Sequence, residues 1–308
     1  MTLIISTLNP VFAAHHSDRR LSGSGGPEDE CNKATIFECD SGRFIFGFTG
    51  VARVGGFNTQ RWILETLRDC APPDYWAPSI FDRFRERLTF AFSRLAVLRS
   101  LTDSERRLTV MLTGFLYTQN GVVPAIQFTT NFQDFDSRVD AALAWPEFKQ
   151  WTTTPKDGVT EFGSVQRIGN YDALAMEDVF AIKKLLLERR SVNAILERAA
   201  YAIRVAAERP ESAGTIGKQI MSVVLPADPR KPGRWRYDSS KQHKKYFAPD
   251  VVTAFRSTGR VIFRDMRLEL TGRSDLPLVV PPQSRRQPCA CGSGKRYKNC
   301  HGQRQPLL

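Results

Sequence analysis

The chain has 308 residues, of which 42% are hydrophobic, and a formal net charge of +12. A mean hydropathy of −0.32, with no apolar run of about eighteen residues, argues against a membrane span. The positive charge favours an anionic partner such as nucleic acid, a ribosome or an acidic protein. Three cysteines cluster near the C-terminus, and the odd remainder (Cys31, Cys39 and Cys70) predicts a reducing cytoplasm rather than a disulfide framework.

The first fourteen residues are apolar enough to raise the alternative of an export signal. They lack a basic start, and Asn9-Pro10 interrupts an apolar stretch that is short for a signal peptide. We therefore predict two strands, 3–7 and 11–14, joined by a turn at Asn9-Pro10. A loop rich in Gly, Ser and acidic residues follows at 21–30.

A hairpin and two helices are predicted next. The hairpin arms are 34–38 and 43–48, joined by the turn signal Asp40-Ser41-Gly42. Apolar residues at helical spacing predict helices at 57–70 and 79–98.

The following part of the chain repeats this order of strands and helices. The predicted elements are strands at 108–117, 123–132 and 164–168, helices at 176–188 and 192–208, and a closing strand at 218–225. Strands and helices that occur in separate runs predict an α+β fold, here a four-layer αββα sandwich, rather than alternating βαβ units.

Residues 226–245 are polar and basic and predict a long surface loop. Within 230–245, Trp235 and Tyr237 are interleaved with cations, a composition compatible with RNA contact through phosphates and stacking. A solvated loop without RNA is the alternative. Beyond it we predict a helix at 251–255, a strand at 261–270 and a Pro-rich linker at 271–287.

The final residues carry the strongest signal. Cys289 and Cys291 lie one residue apart, and Cys300 and His301 are adjacent. Three thiolates and one imidazole are a standard ligand set for tetrahedral Zn²⁺. Glycines between the two pairs let so short a loop reverse. A disulfide pair, or free thiols without metal, are the alternatives, and neither explains this spacing well.

This segment, 288–302, resembles the SEC-C motif, the zinc-binding tail first recognised on SecA, the preprotein-translocase motor ATPase. The resemblance covers about fifteen residues and includes all four ligands and the basic stretch 295–298. It implies bound Zn²⁺ and a protein partner, such as a chaperone, a translocation component or a ribosome.

Thr2 combines two reactive groups if Met1 is removed, which a small second residue favours. It would then carry a hydroxyl nucleophile and a free α-amine, whose pKa of about 8 suits a general base at neutral pH. The fold would have to add a positive neighbour, a carboxylate to hold that neighbour, and N–H donors for an oxyanion.

Four residues form the candidate site: Thr2, Asp18 in Ser17-Asp18-Arg19-Arg20, Lys33 at the start of the hairpin and Gly50 at its end. Together they resemble the site of the proteasome β-subunit, an N-terminal-nucleophile (Ntn) hydrolase. The resemblance covers about residues 2–225. It implies that Thr2 is nucleophile and base, and that Asp18 orients Lys33. Lys33 would lower the pKa of the Thr2 amine and hydroxyl, and Gly50 or Thr49 would supply the oxyanion N–H.

The segment 212–215 also resembles the Ser-Gly-Gly segment of that family. The family's Asp just before this serine has no counterpart, since Arg209 and Pro210 lie there. The basic segment and the zinc tail have no counterpart either. The resemblance therefore does not extend to assembly of the usual ring, and the oligomeric state is left open.

The sequence thus predicts three parts: a proteasome-like domain at 1–270 (core 2–225, extension 226–270), a linker at 271–287 and a zinc motif at 288–302. The expected function is that of a cytoplasmic, bacterial N-terminal-threonine amide hydrolase, peptidase-like, whose tail recruits a partner. The alternative is a catalytically inactive scaffold that acts as a zinc-dependent adaptor for a chaperone, a translocation component or a ribosome.

Overall fold

The computed structural model describes residues 2–21, 31–135, 140–155, 162–238, 249–255, 267–271, 286 and 296–299. Within these ranges, no helix combines the length and the apolar character needed to cross a membrane. The predicted linker falls almost wholly outside them, as do the four predicted zinc ligands.

The described strands are, in chain order, β1 (Leu3–Leu8), β2 (Phe12–Asp18), β3 (Thr35–Cys39), β4 (Gly42–Gly50), β5 (Arg53–Val54), β6 (Phe57–Asn58), β7 (Leu108–Thr118), β8 (Gly121–Thr130), β9 (Lys149–Thr153), β10 (Ser164–Gly169), β11 (Ile220–Pro226), β12 (Arg234–Asp238), β13 (Asp250–Ala254) and β14 (Arg267–Thr271). The described helices are α1 (Thr59–Asp69), α2 (Ala77–Arg94), α3 (Ala96–Arg99), α4 (Met176–Leu187) and α5 (Val192–Glu208).

Two six-stranded sheets organise the described part of the chain. Sheet 1 has the order β10-β1-β2-β11-β12-β14, and sheet 2 has the order β13-β3-β4-β7-β8-β9. Neighbouring strands are antiparallel, except that β12 runs parallel to β14 and β13 parallel to β3. In the β1–β2 pair Ile4 lies opposite Ser17, so the residue before β1 and the last residue of β2 meet at one end of sheet 1.

Side chains of sheet 2 alternate between two apolar clusters. Phe44 and Phe46 of β4 pack edge-on against Phe81 and Phe84 of α2, with ring centroids 5.0 and 6.1 Å apart. Ile45, between them in sequence, points the other way and packs with residues of sheet 1. Because side chains alternate between two buried faces, β4 has consecutive apolar residues from 44 to 46 instead of alternating apolar and polar ones.

Sheet 1 shows the same alternation. Leu3 and Ile5 of β1 join a cluster with Ile195 and other residues of α5, whereas Ile4 joins Met111 of β7 in a cluster that contains residues of both sheets. The chain is therefore a mixed α+β protein with two sheets whose strands carry apolar side chains on both faces.

Local signals place the helices. Asn58 caps α1 by accepting a hydrogen bond from Arg61 N at 3.1 Å, and Ser191 caps α5 by accepting one from Ala194 N at 3.3 Å. Such caps satisfy amide groups that the first helical turn leaves without a partner. α2 instead begins with a proline in its first turn, where no amide donor is needed.

Most predicted elements are confirmed. The predicted helix 192–208 has the bounds of α5, and the predicted strands 3–7 and 108–117 correspond to β1 and β7. The predicted helix 79–98 is interrupted at Leu95, whose ψ of 120° is extended, so it forms α2 and the short α3.

Other predictions are wrong or incomplete. Residues 251–254 of the predicted helix 251–255 form most of β13, which pairs with β3; the run Val-Val-Thr favours a strand. Residues 267–270 of the predicted strand 261–270 lie in β14, and residues 261–266 lie outside the described residues. The short, partly polar β9 carries no sequence signal strong enough to predict it.

The predicted surface loop 226–245 is wrong for residues 234–238, which form β12 inside sheet 1. Trp235 and Tyr237 are buried in a cluster with residues of sheet 2, and Arg236 on the opposite face lies 2.6 Å from Asp238. The alternation of rings and charges is thus a buried strand pattern with an internal ion pair. Residues 239–248 of the predicted loop lie outside the described residues.

Candidate active site

Thr2 lies immediately before β1 and is 6% exposed. Its hydroxyl donates a hydrogen bond to Asp18 Oδ2 and accepts one from Lys33 Nζ. Its carbonyl oxygen accepts a hydrogen bond from Asn170 N at 2.8 Å. Asp18 is 16 residues and Lys33 is 31 residues from Thr2 along the chain, and the structure brings the three side chains together.

Asp18 is the last residue of β2 and is fully buried. Oδ2 accepts a hydrogen bond from Leu3 N at 2.8 Å, and Oδ1 accepts from Arg20 N at 2.9 Å and Gly217 N at 3.1 Å. Three backbone donors hold the carboxylate in one orientation and offset the free energy cost of its burial. Asp18 therefore fixes the ends of β1 and β2 relative to the chain before β11.

Lys33, just before β3, is 2% exposed. Besides Thr2, its Nζ donates to Asp18 Oδ1 at 3.2 Å and to the carbonyl oxygen of Arg20. Burial lowers the pKa of Lys33 from its ordinary value, while the neighbouring Asp18 carboxylate opposes this shift. The ammonium group consequently depends on Asp18 to keep its proton in this interior position.

Gly50 ends β4 with a φ of +109°, a conformation that disfavours side chains. A Cβ atom at this position would lie 1.9 Å from the carbonyl oxygen of Arg107. Thr49 beside it is 1% exposed, and its hydroxyl has no hydrogen-bond partner among the described residues. A Cβ atom at Gly169 would lie 1.8 Å from the Thr2 carbonyl oxygen and 3.1 Å from Thr49 Oγ1, so Thr49 lies close to Thr2.

A cavity of about 450 Å³ opens beside these residues. Thr2, Lys33, Thr49 and Gly50 all contribute to its lining. One wall of the cavity thus brings together a hydroxyl, a buried cation and a glycine-containing strand end, with open space next to Thr2.

The segment 212–215 lies near the same site, but its serine side chain does not reach Thr2, Asp18 or Lys33 in any described hydrogen bond. Ser212 Oγ bonds within its own turn, to Ala207 O at 3.2 Å and to Gly214 N at 3.3 Å. Arg20 Nη1 donates to Gly214 O at 2.8 Å, which joins the turn to the chain after Asp18.

Two residues near the site have no sequence signal of their own. Gly217 donates its backbone N–H to Asp18. Asn170 donates its backbone N–H to the Thr2 carbonyl oxygen and its side-chain Nδ2 to Thr215 Oγ1 at 3.1 Å. Backbone donors leave no mark on the sequence. Only Gly217 offers a hint, since a Cβ atom there would lie 2.8 Å from Arg20 Cβ.

His15 and His16 are both fully buried in β2. His15 Nδ1 lies 3.0 Å from Ser6 Oγ, and His16 Nδ1 lies 2.9 Å from Ser222 Oγ. Burial lowers the pKa of each imidazole to about 3. Both rings are therefore neutral packing residues of sheet 1.

Residues 285–303 match the SEC-C motif family, which confirms the resemblance predicted for this segment. Twenty-four residues, 8% of the chain, are 67% identical to the protein translocase subunit SecA of Acinetobacter baylyi (strain ATCC 33305 / BD413 / ADP1). The match spans only 3% of that protein's length.

Solved structures similar to the chain include several Anbu proteins. Anbu (ancestral beta-subunit) from Yersinia bercovieri has a TM-score of 0.46 and 11% identity, covering 73% of this chain and 82% of that one. The Anbu complex of Pseudomonas aeruginosa, solved as a helical assembly, gives 0.46 and 11%, covering 73% and 81%. Anbu from Hyphomicrobium sp. strain MC1 gives 0.44 and 8%, covering 73% and 82%.

Proposed function

We propose that the chain is an N-terminal-threonine amide hydrolase, peptidase-like, with Thr2 as its nucleophile once Met1 is removed. One observation carries the proposal: the Thr2 hydroxyl is hydrogen-bonded to both Lys33 and Asp18 at the wall of a cavity. Nucleophile, cation and carboxylate then have the mutual contacts that activated nucleophiles require.

The freed Thr2 amine accepts the hydroxyl proton as Oγ1 bonds to the substrate carbonyl carbon. The tetrahedral intermediate then loses its amine, which leaves with that proton, and the acyl group remains as an ester on Thr2. Water, deprotonated by the same amine, attacks the ester carbonyl carbon. Thr2 Oγ1 then leaves and takes the proton back from the amine, and the acid is released. Lys33 favours this route because its positive charge disfavours protonation of the nearby amine and stabilises negative charge on Oγ1.

Gly50, or Thr49 beside it, would donate the backbone N–H that stabilises the oxyanion. Both residues line the cavity beside Thr2, which supports this assignment. The absence of a side chain at Gly50 keeps the strand end close to the Arg107 carbonyl and holds the cavity wall in place.

The architecture that would support this site is a four-layer αββα sandwich. The clusters between α2 and sheet 2, between the sheets, and between sheet 1 and α5 support it. We assign this domain to residues 1–270, followed by a linker at 271–287 and a zinc motif at 288–302, in a cytoplasmic protein.

In the tail, Cys289, Cys291, Cys300 and His301 would hold one Zn²⁺. Three thiolates and an imidazole match the preference of structural zinc, and the SEC-C match covers all four residues. Bound zinc would supply folding free energy to a segment too short for a core of its own. The folded tail would recruit a protein or ribosome partner.

An adaptor without catalysis is the second candidate, favoured by the SEC-C match alone. In that case the tail, and the basic segment 230–245, would bind a chaperone, a translocation component, a ribosome or RNA. Because Trp235 and Tyr237 are buried, RNA contact there would depend on phosphates and on exposed cations such as Arg230, rather than on stacking by these rings.

Release of 7-amino-4-methylcoumarin from a panel of peptide amides tests the hydrolase proposal. Thr2→Ala should abolish turnover, and Thr2→Ser, which keeps a hydroxyl and an amine, should retain a measurable part of it. Cys300→Ser should leave turnover of these small substrates intact and weaken partner binding. Equal turnover by Thr2→Ala and the unaltered chain would exclude Thr2 as the nucleophile.

A further inference from the structure

The outer face of α4 carries three large apolar side chains that are exposed to solvent. Met176 is 43% exposed, Phe180 62% and Leu187 48%. They are four and seven residues apart, so they form one line along the helix, because an α-helix repeats every 3.6 residues. The opposite face of α4 packs on sheet 1 through Ile182 and Leu186. The exposed line, the α4 stripe, is therefore additional to the apolar face that the core requires.

Two charged residues lie on one side of the α4 stripe. Glu177 is in the first turn of α4 and Lys184 in its last turn, and both are exposed. Seven residues separate them, about 10 Å along the helix axis, so they are too far apart to pair with each other. Neither has an ion-pair partner among the described residues. Glu188, at helical spacing from Lys184, pairs instead with Arg190.

The spacing of these charges favours a second copy of α4 as the partner of the stripe. In two copies packed antiparallel about a two-fold axis beside Phe180, residues at equal distances from the axis meet. Glu177 of each copy then lies opposite Lys184 of the other, so the charge pair forms twice. Met176 of each copy lies beside Leu187 of the other, and the two Phe180 rings meet at the axis. A parallel pair would instead bring like charges level with each other.

We propose that α4 is a self-association surface, on which two copies of this chain pack antiparallel around Phe180. A line of exposed apolar side chains is typical of a contact between proteins, and the bordering charges match a second copy of the same helix. A contact between two helices is small for a protein interface, so the dimer forms reversibly as concentration rises. This inference does not depend on the proposed hydrolase function.

Sedimentation velocity of the full-length chain, over a concentration series at low salt, tests the apolar part of this surface. The unaltered chain should pass from monomer to dimer. Phe180→Ser should raise the dissociation constant of the dimer at least ten-fold. Phe90→Ser is the matched control and should leave that constant unchanged, because Phe90 on α2 is also 62% exposed but lies outside the α4 stripe. Thermal unfolding followed by circular dichroism checks that both variants are folded.

Exchange of the two charges tests the antiparallel arrangement. Glu177→Lys and Lys184→Glu should each raise the dissociation constant at least ten-fold, because each variant brings like charges together twice in its dimer. These effects should shrink as ionic strength rises. An equimolar mixture of the two variants should dimerise about as tightly as the unaltered chain, since the charges of one variant then meet opposite charges on the other.

An unaltered chain that stays monomeric at every concentration would overturn the inference and assign the α4 stripe to a different partner. A dimer that responds equally to Phe180→Ser and Phe90→Ser would overturn it as well. So would a mixture of the two charge variants that associates no more tightly than either variant alone.

Discussion

Lys33 Nζ lies 3.2 Å from Asp18 Oδ1 in an ion pair whose two side chains are both almost completely removed from solvent. Such a pair is costly to break from one side, because the remaining charge is left buried without its partner. Several properties of the protein should depend on this contact, beginning with its stability.

Asp18→Asn should lower the free energy of unfolding by about 3–5 kcal/mol, since Lys33 would remain buried without a counter-charge. Urea titration followed by circular dichroism measures the change. Asp69→Asn is the matched control: Asp69 also forms an ion pair, with Arg68, but its side chain is 62% exposed, so the effect of the change should stay within about 0.5 kcal/mol. Similar losses in the two variants would contradict the importance of the buried pair.

Gly50→Ala should destabilise the chain by about 3 kcal/mol or more and distort the wall beside Thr2. It combines a positive φ with a contact of 1.9 Å to the Arg107 carbonyl. Gly121→Ala is the control, because Gly121 has a φ of +123° but no atom within 4 Å of an added Cβ. Its cost should be about 1 kcal/mol, that of the backbone conformation alone. Thermal unfolding of both variants separates the cost of the positive φ from the cost of the contact with the Arg107 carbonyl. Equal shifts in Tm would show that the structure relaxes to accommodate a side chain at Gly50.

The two buried histidines should make stability fall in mild acid. Their pKa is about 3 in the folded chain and about 6.5 when unfolded, so the unfolded state binds more protons between these values. The contribution of the two histidines to the free energy of unfolding is therefore fully present above about pH 6.5 and is lost as the pH falls. Each histidine should contribute about 2 kcal/mol of loss between pH 7 and pH 5. Urea midpoints measured across this range give the slope.

His16→Gln should remove about half of that pH dependence, and His15→Gln the other half. Above pH 5 the change in unfolding free energy reports on the histidines, because most carboxylates have pKa values below this range. A slope that is the same in both variants and in the unaltered chain would show that the imidazoles are not held neutral.

The zinc assignment predicts about one zinc per chain by elemental analysis, and none in Cys300→Ser. Cys70→Ser should keep the metal, since Cys70 is a buried free thiol of the main domain. Chelation should release the metal and leave the main thermal transition in place, because the proposed domain division makes the tail a unit that folds separately. Loss of the main transition on chelation would refute this separation.

Regular elements with a clear period were predictable from sequence. α5 has its predicted bounds because Ser191 marks its start and apolar residues recur at helical spacing up to Pro210. The sequence predicts a surface loop at β12 because Arg236 and Asp238 have the pattern of solvated charges. In the fold they are buried and pair with each other along the strand. In a sequence, a charged residue that forms a buried ion pair cannot be told from one that is exposed to solvent.

The candidate site was predictable in part for a similar reason. Thr2, Asp18 and Lys33 act through side chains, whose chemistry the sequence shows, and the structure places them in contact. Asn170 and Gly217 reach the same residues through backbone amides, which any residue type provides. The basic lining of the cavity also has no linear pattern, since Arg20, Arg53 and Arg107 come from distant segments.

Intact mass spectrometry of the purified native protein, before and after incubation with a threonine-directed epoxyketone, tests the central claim most directly. The account predicts a chain that begins at Thr2 and gains the mass of one inhibitor, with no gain in Thr2→Ala. A chain that retains Met1 has no free Thr2 amine to act as base, so that result, or an unlabelled chain that begins at Thr2, would contradict the hydrolase account and favour the adaptor.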